Sequence, residues 1–116
     1  MERSEYRDFF STLANHSRMA IVQLLRRHSA TVTQIAESLE YEQSRVSHSL
    51  ARLQRAGIVV CRWEQKRKMF HLVEGVAPLL QEIETYLERR PKPGHAPGRE
   101  AVERPWPVAA YAASSK

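Results

Sequence analysis

The stretch "QSRVSHSLARLQRAG", residues 43–57, carries three arginines, one histidine, three serines and no acid. Val46, Leu50 and Leu53 recur in it at helical spacing and Gly57 ends it, the pattern of an amphipathic helix with a glycine stop. With the apolar stripe turned inward, Ser44, His48, Ala51 and Arg55 point outward. Arg45 and Arg52 then lie on one flank, Gln43 and Ser47 on the other. Amide, hydroxyl and imidazole groups can meet the donors and acceptors of base edges, and guanidinium groups suit phosphates. The expected base readers are therefore Gln43, Ser44, Arg45, Ser47 and His48, with Arg52 and Arg55 on the backbone. A solvated basic helix would share this pattern. Against it stands a second cationic cluster close by, Lys66, Arg67 and Lys68, which adds three further phosphate partners.

The charge distribution supports a polyanionic partner. The net charge of +5 is not spread evenly over the 116 residues. Residues 43–72 hold seven basic side chains against one acid, Glu64, whereas residues 1–42 hold five against six. A hydrophobic fraction of 42% suits one globular domain with a modest core. The opening "MERSEYRD" lacks the apolar run of a signal peptide, and no stretch reaches membrane-spanning length. A single cysteine, Cys61, cannot form an internal disulfide. These features predict a cytoplasmic protein without a membrane partner.

Positioning such a helix takes several others. Tyr6, Phe9, Phe10 and Leu13 predict a first amphipathic helix over about residues 4–14. Asn15 reads as the N-cap of a second, about 16–28, burying Met19, Ile21, Val22, Leu24 and Leu25. Thr33 is expected to cap a short helix through Leu39, and "EYE" (40–42) then leads into the helix at 43–56. "IVVCRW" (58–63) and "KMFHL" (68–72) flank "EQKR", giving a β-hairpin with a cationic tip. In that register Cys61 lies opposite Phe70 and His71 opposite Val60, so the cysteine and the histidine take opposite sheet faces. Cys61 is then expected to be a small buried hydrophobe. A last helix to about Arg90 places Leu79, Leu80, Ile83, Tyr86 and Leu87 on one face. Residues 91–116 hold five of the six prolines and read as a disordered tail after a domain of residues 1–90. Short helix, turn, helix and hairpin in that order make a mainly α, winged helix-turn-helix fold. The apolar faces of the two terminal helices (Tyr6, Phe9, Phe10, Leu13, Leu79, Leu80, Ile83, Tyr86 and Leu87) exceed what one small core can cover and predict a homodimer.

Residues 14–72 resemble the ArsR/SmtB family of winged-helix repressors. "LANHSRMAIVQLL" is similar to the family's Ala-Asp-Pro-Thr-Arg opening, with Asn15 for Asp, His16 for Pro and Arg18 retained. "VTQIAESL" matches its short helix, "QSRVSHSLARLQRAGIV" its recognition helix and the hairpin its wing. The resemblance covers about half of the chain. It implies a dimer formed by the first and last helices, and repression of transcription at an inverted-repeat operator until an inducer acts. The sequence departs at Glu40, where a turn glycine is usual, at Glu42 for a capping serine, at Gln65 for a wing-tip glycine, and at Ser49 for a frequent histidine.

Many members sense soft metals. At the positions matching their cysteine pairs stand Thr31 and Thr33 in one case and Arg52 and Ala56 in another. Residues 76–90 contain none of the histidine or aspartate that a third group of members uses. No metal or cofactor is expected. Nor does the chain offer a nucleophile with a base and an orienting group, so an enzyme is not expected. Two other functions fit the same residues: a winged helix that docks another protein, as an antiactivator would, and a thiol or redox sensor acting through Cys61.

Overall fold

A computed structural model describes residues 2–91, so the expected tail lies outside the described residues. The elements are α1 (Arg3–Leu13), α2 (His16–Arg27), α3 (Val32–Leu39), α4 (Gln43–Arg55), β1 (Val59–Glu64), β2 (Arg67–Leu72) and α5 (Val76–Arg89). The described residues divide into two compact units inside α5, the first ending at Glu82 and the second beginning at Ile83. In the first unit α4 packs on α2, α3 and β1. The core there is built on Ile21, Val22, Ile35, Val46, Leu50, Leu53 and Ile58, all fully buried.

Local chemistry sets the helix ends. The Asn15 side chain accepts a hydrogen bond from the Arg18 amide at 3.0 Å, so α2 is capped as its sequence predicts. Arg18 also reaches back to α1: its Nε donates to the Thr12 carbonyl at 2.6 Å and its guanidinium to that of Ser11. A cation thereby covers the negative end of α1. Thr31, not Thr33, caps α3. Its Oγ1 accepts from the Gln34 amide while Gln34 Oε1 accepts from the Thr31 amide, a reciprocal capping box. Both threonines can cap a helix; the glutamine three residues on selects Thr31. α4 ends in a Schellman motif, with the Ile58 amide donating to the Leu53 carbonyl and the Gly57 amide to that of Gln54, and Gly57 at φ 76°.

The hairpin pairs Val59 with Leu72, Val60 with His71 and Cys61 with Phe70, the register read from the sequence. Its tip is tighter than "EQKR". Glu64 and Arg67 are already paired, leaving a two-residue turn of Gln65 and Lys66, both at positive φ (52° and 65°). A short bridge between Ala30 and Phe70 ties the base of the wing to the residues preceding α3. Two burial assignments need correction. Met19 of α2 is half-buried rather than buried. Cys61 is half-buried, because β1 runs out towards solvent from Val59. Leu13 and Leu80, each 5% exposed, are covered within the single chain.

Candidate nucleic-acid interface

Val46, Leu50 and Leu53 are at most 1% exposed, so α4 turns its apolar stripe fully inward. Ser49 joins that side and is buried, which removes it from any surface contact. Gln43, Ser44, Arg45, Ser47, His48, Ala51 and Arg55 are exposed together. That outer face is about one α-helix wide, the width a major groove accepts. The wing carries exposed Arg62, Lys66, Arg67 and Lys68 on its outer half.

Three of the expected contacts are engaged within the chain. Arg45 donates from Nε and Nη2 to Ser17 Oγ at 2.9 and 2.6 Å, with its guanidinium 3.8 Å from the centroid of the Tyr41 ring. Its fork therefore braces α4 against the start of α2, and of the five expected base readers it is the most constrained. Arg52 pairs with Asp8 of α1 at 3.1 Å. Both side chains are partly exposed, so the pair contributes about 0–1 kcal/mol and a phosphate could displace the carboxylate. Gln43 is less constrained: its Nε2 donates to Thr33 Oγ1 at 3.3 Å across to α3. Glu42, at the N-cap of α4, makes no side-chain cap.

Residue pattern does not single out four of the participants. Ser17, Tyr41 and Asp8 act through long-range contacts that periodicity does not reveal. Trp63, in sequence only one more strand residue, is 69% exposed beside the basic tip. Its alternation with Cys61 along β1 is the one signal that the sequence offers.

The residues at the family's metal positions have other work here, Thr31 in the capping box and Arg52 on Asp8. Among the described residues no three histidine, cysteine, aspartate or glutamate side chains gather as metal ligands would. Among them, too, no helix is long and apolar enough to cross a membrane.

The family model described as bacterial regulatory protein, arsR family, matches residues 15–60. No curated protein matches the chain. Solved structures do. Rv0081 from Mycobacterium tuberculosis is 28% identical, with a TM-score of 0.69 over 77% of this chain and 93% of that one. The homodimeric winged helix-turn-helix DNA-binding domain Mb0332 from Mycobacterium bovis, a possible ArsR-family transcriptional regulator, is 26% identical, with a TM-score of 0.68 over 73% and 80%. HlyU from Vibrio cholerae is 26% identical, with a TM-score of 0.64 over 78% and 100%. The family model matches the helix-turn-helix and these structures match the wing and helices, so the chain has the winged helix-turn-helix fold and resembles DNA-binding transcriptional regulators of the arsR family.

Proposed function

We propose that the protein is a cytoplasmic homodimeric repressor of an inverted-repeat operator, with α4 in the major groove and the wing on the backbone. The observation that carries this reading is the outer face of α4. Short hydrogen-bonding groups occupy its N-terminal half, and cations its C-terminal end and the adjoining wing. Gln43, Ser44, Ser47 and His48 read base edges; Arg55, Lys66, Arg67 and Lys68 hold phosphates. Arg45 and Arg52 set the angle of α4 through Ser17 and Asp8, and reach DNA by exchanging those partners.

For the dimer, Tyr6, Phe9, Phe10, Ala56 and Leu79, with Glu5, line an open and mainly apolar groove of about 400 Å³. Tyr6 is 55% exposed, while Phe10 and Leu79 are each 41% exposed, much apolar surface for a lone chain to leave in water. Edge-to-face contacts of Phe10 with Tyr6 at 5.0 Å and with Phe9 at 5.2 Å hold the aromatic cluster in place. Within the second unit, Tyr86 and Leu87 are likewise exposed and Ile83 half-buried. The homodimeric Mycobacterium bovis domain supports the same assembly here.

His48→Ala tests the reading at one residue. Binding to the operator should weaken by roughly 1–3 kcal/mol per half-site, confined to one base pair, with random DNA bound almost as before. Equal losses on both would make His48 a phosphate contact.

The inducer is not a soft metal on this reading. Such ions need thiolate or imidazole ligands clustered at about 2.0–2.3 Å, and the family's positions hold Thr31, Thr33, Arg52 and Ala56. Stoichiometric zinc, cadmium or arsenite should leave the DNA complex intact in a gel shift. Cys61, half-buried in the wing, is the residue to check. Loss of DNA binding with peroxide or metal in wild type but not in Cys61→Ser would make it the sensor.

A further inference from the structure

The wing and the start of α3 enclose a cleft of about 440 Å³, with Thr31, Thr33 and Gln34 on one wall and Trp63, Lys66 and Lys68 on the other. We propose that this cleft binds a small aromatic carboxylate, which stacks on Trp63, sets its charge on Lys66 and Lys68, and loosens the DNA complex. The binding site stands on its own; only its effect on DNA rests on the reading above.

The polar groups of the cleft offer donors. On the α3 wall, Thr31 Oγ1 already accepts from the Gln34 amide, Gln34 Oε1 from the Thr31 amide, and Thr33 Oγ1 from Gln43 Nε2. These side-chain acceptors are engaged by the chain, which leaves the two hydroxyl protons and the Gln34 amino group to a ligand. Across the cleft, the two ammonium groups and the Trp63 N–H can only donate. No carboxylate lines the space. Glu64, the single acid of the basic segment, follows Trp63 in β1 and so falls on the opposite sheet face. There its Oε2 lies 2.8 Å from His71 Nε2. The matching ligand is an anion rich in acceptors.

Trp63 indicates what carries the charge. It leaves 69% of its surface in water, although the chain buries smaller apolar side chains completely. Lys68 is its cross-strand partner, with the ammonium 5.7 Å from the ring centroid. An aromatic acid meets both at once, its ring on the indole face and its carboxylate on the ammonium. An aliphatic acid would leave the indole uncovered. A nucleotide fits less well, because the amino groups of its base need acceptors and those of the α3 wall are taken. The volume of the cleft is that of a small-molecule site.

Occupancy of the cleft bears on the recognition helix. A carboxylate on Lys66 and Lys68 takes two cations out of the basic segment. Thr33 of the cleft wall also holds the side chain of Gln43, the first residue of α4, at 3.3 Å. Ligand and duplex therefore oppose each other, and each lowers affinity for the other by the same factor.

The sequence contains two tryptophans, Trp63 and Trp106, so a full-length Trp106→Phe chain reports on Trp63 alone. Cinnamate is titrated into it, following the indole N–H signal in nitrogen–proton correlation spectra. That signal should shift saturably, with a dissociation constant on the order of 10⁻⁴–10⁻³ M. Cinnamyl alcohol, which lacks the charge, and acetate, which lacks the ring, should shift it little. Trp63→Ala, followed through the Thr33 and Gln34 amide signals, should weaken cinnamate on the order of tenfold, and Trp63→Phe should keep most of the affinity. Glutamine at both Lys66 and Lys68 should weaken it similarly. At constant ionic strength, saturating cinnamate should lower the affinity for a labelled mixed-sequence duplex several-fold, and acetate should not. No saturable shift, or equal binding by Trp63→Ala, overturns the site and leaves the DNA-binding reading standing. Saturable binding with unchanged duplex affinity overturns the effect on DNA. A chain that takes up cinnamate and binds no duplex keeps the site and removes the DNA-binding reading.

Discussion

Raising salt from 50 to 200 mM should lower the affinity for duplex DNA by about 10³–10⁵, the loss expected when about six to ten phosphates are neutralised. The cations are concentrated enough for this. Seven lie within residues 43–72, and a dimer doubles them. Lys66, Arg67 and Lys68 are exposed around the two-residue turn. Replacing all three by glutamine should weaken operator and random DNA together. It should also flatten the plot of log affinity against log salt by about 0.9 for each phosphate that is no longer neutralised. Arg52 behaves differently, since its bond to Asp8 must open before a phosphate can take it. Arg52→Gln should therefore change the slope less than removal of a wing cation. An unchanged slope in the triple variant would show that the wing does not touch the DNA backbone.

Phe10→Glu should convert the proposed dimer to a monomer. Phe10 stands between Tyr6 and Phe9 in ring contact and lines the apolar groove with Leu79. Losing a central interface aromatic costs about 2–4 kcal/mol, which raises the dimer dissociation constant by roughly 30- to 1,000-fold. A carboxylate facing its own copy across a two-fold axis adds repulsion. Operator affinity should fall with it, on the order of 10²–10⁴, because the second half-site is no longer held at high effective concentration. Helix content should persist, since Phe10 is 41% exposed in the single chain. Sedimentation and DNA binding measured on the same samples check both effects. A Phe10→Glu chain that sediments as wild type would show that the groove is not the interface.

Much of this architecture is legible in residue types and spacing. The stripe of Val46, Leu50 and Leu53 marks the inner face of α4, and with it the outer one. Alternation in "IVVCRW" and "KMFHL" marks the hairpin register, since a slip of one residue would expose Phe70. Other features depend on information that local pattern lacks. Thr31 and Thr33 are equally good caps until Gln34 is seen to close the box. Gln65 and Lys66 carry no sign of a two-residue turn, because Asn-Gly or a similar pair normally supplies its positive φ angles. Periodicity tells which way Leu13 and Leu80 face, but not that their own chain covers them.

The same limit applies to the candidate site. Exposure of Ser44, Ser47 and His48 follows from the helical projection. The braces on Arg45 and Arg52 do not, as they join residues far apart in the chain. Their consequence is mechanical. Asp8 lies on the helix that carries Phe10, so α1 joins the proposed dimer face to the recognition helix through a bond of 3.1 Å.

Whether the outer face of α4 reads a specific duplex sequence as part of a dimer is decided by selection of bound duplexes from a random pool. The selected duplex is then titrated against an unselected one at physiological salt. The expected product is an inverted repeat with half-site centres about one helical turn apart, or a multiple of that, bound roughly 10³–10⁷ times more tightly than unselected DNA. His48→Ala should lose the preference at one position of each half-site. A pool that yields no common sequence, with selected and unselected duplexes bound alike, would contradict sequence reading by α4.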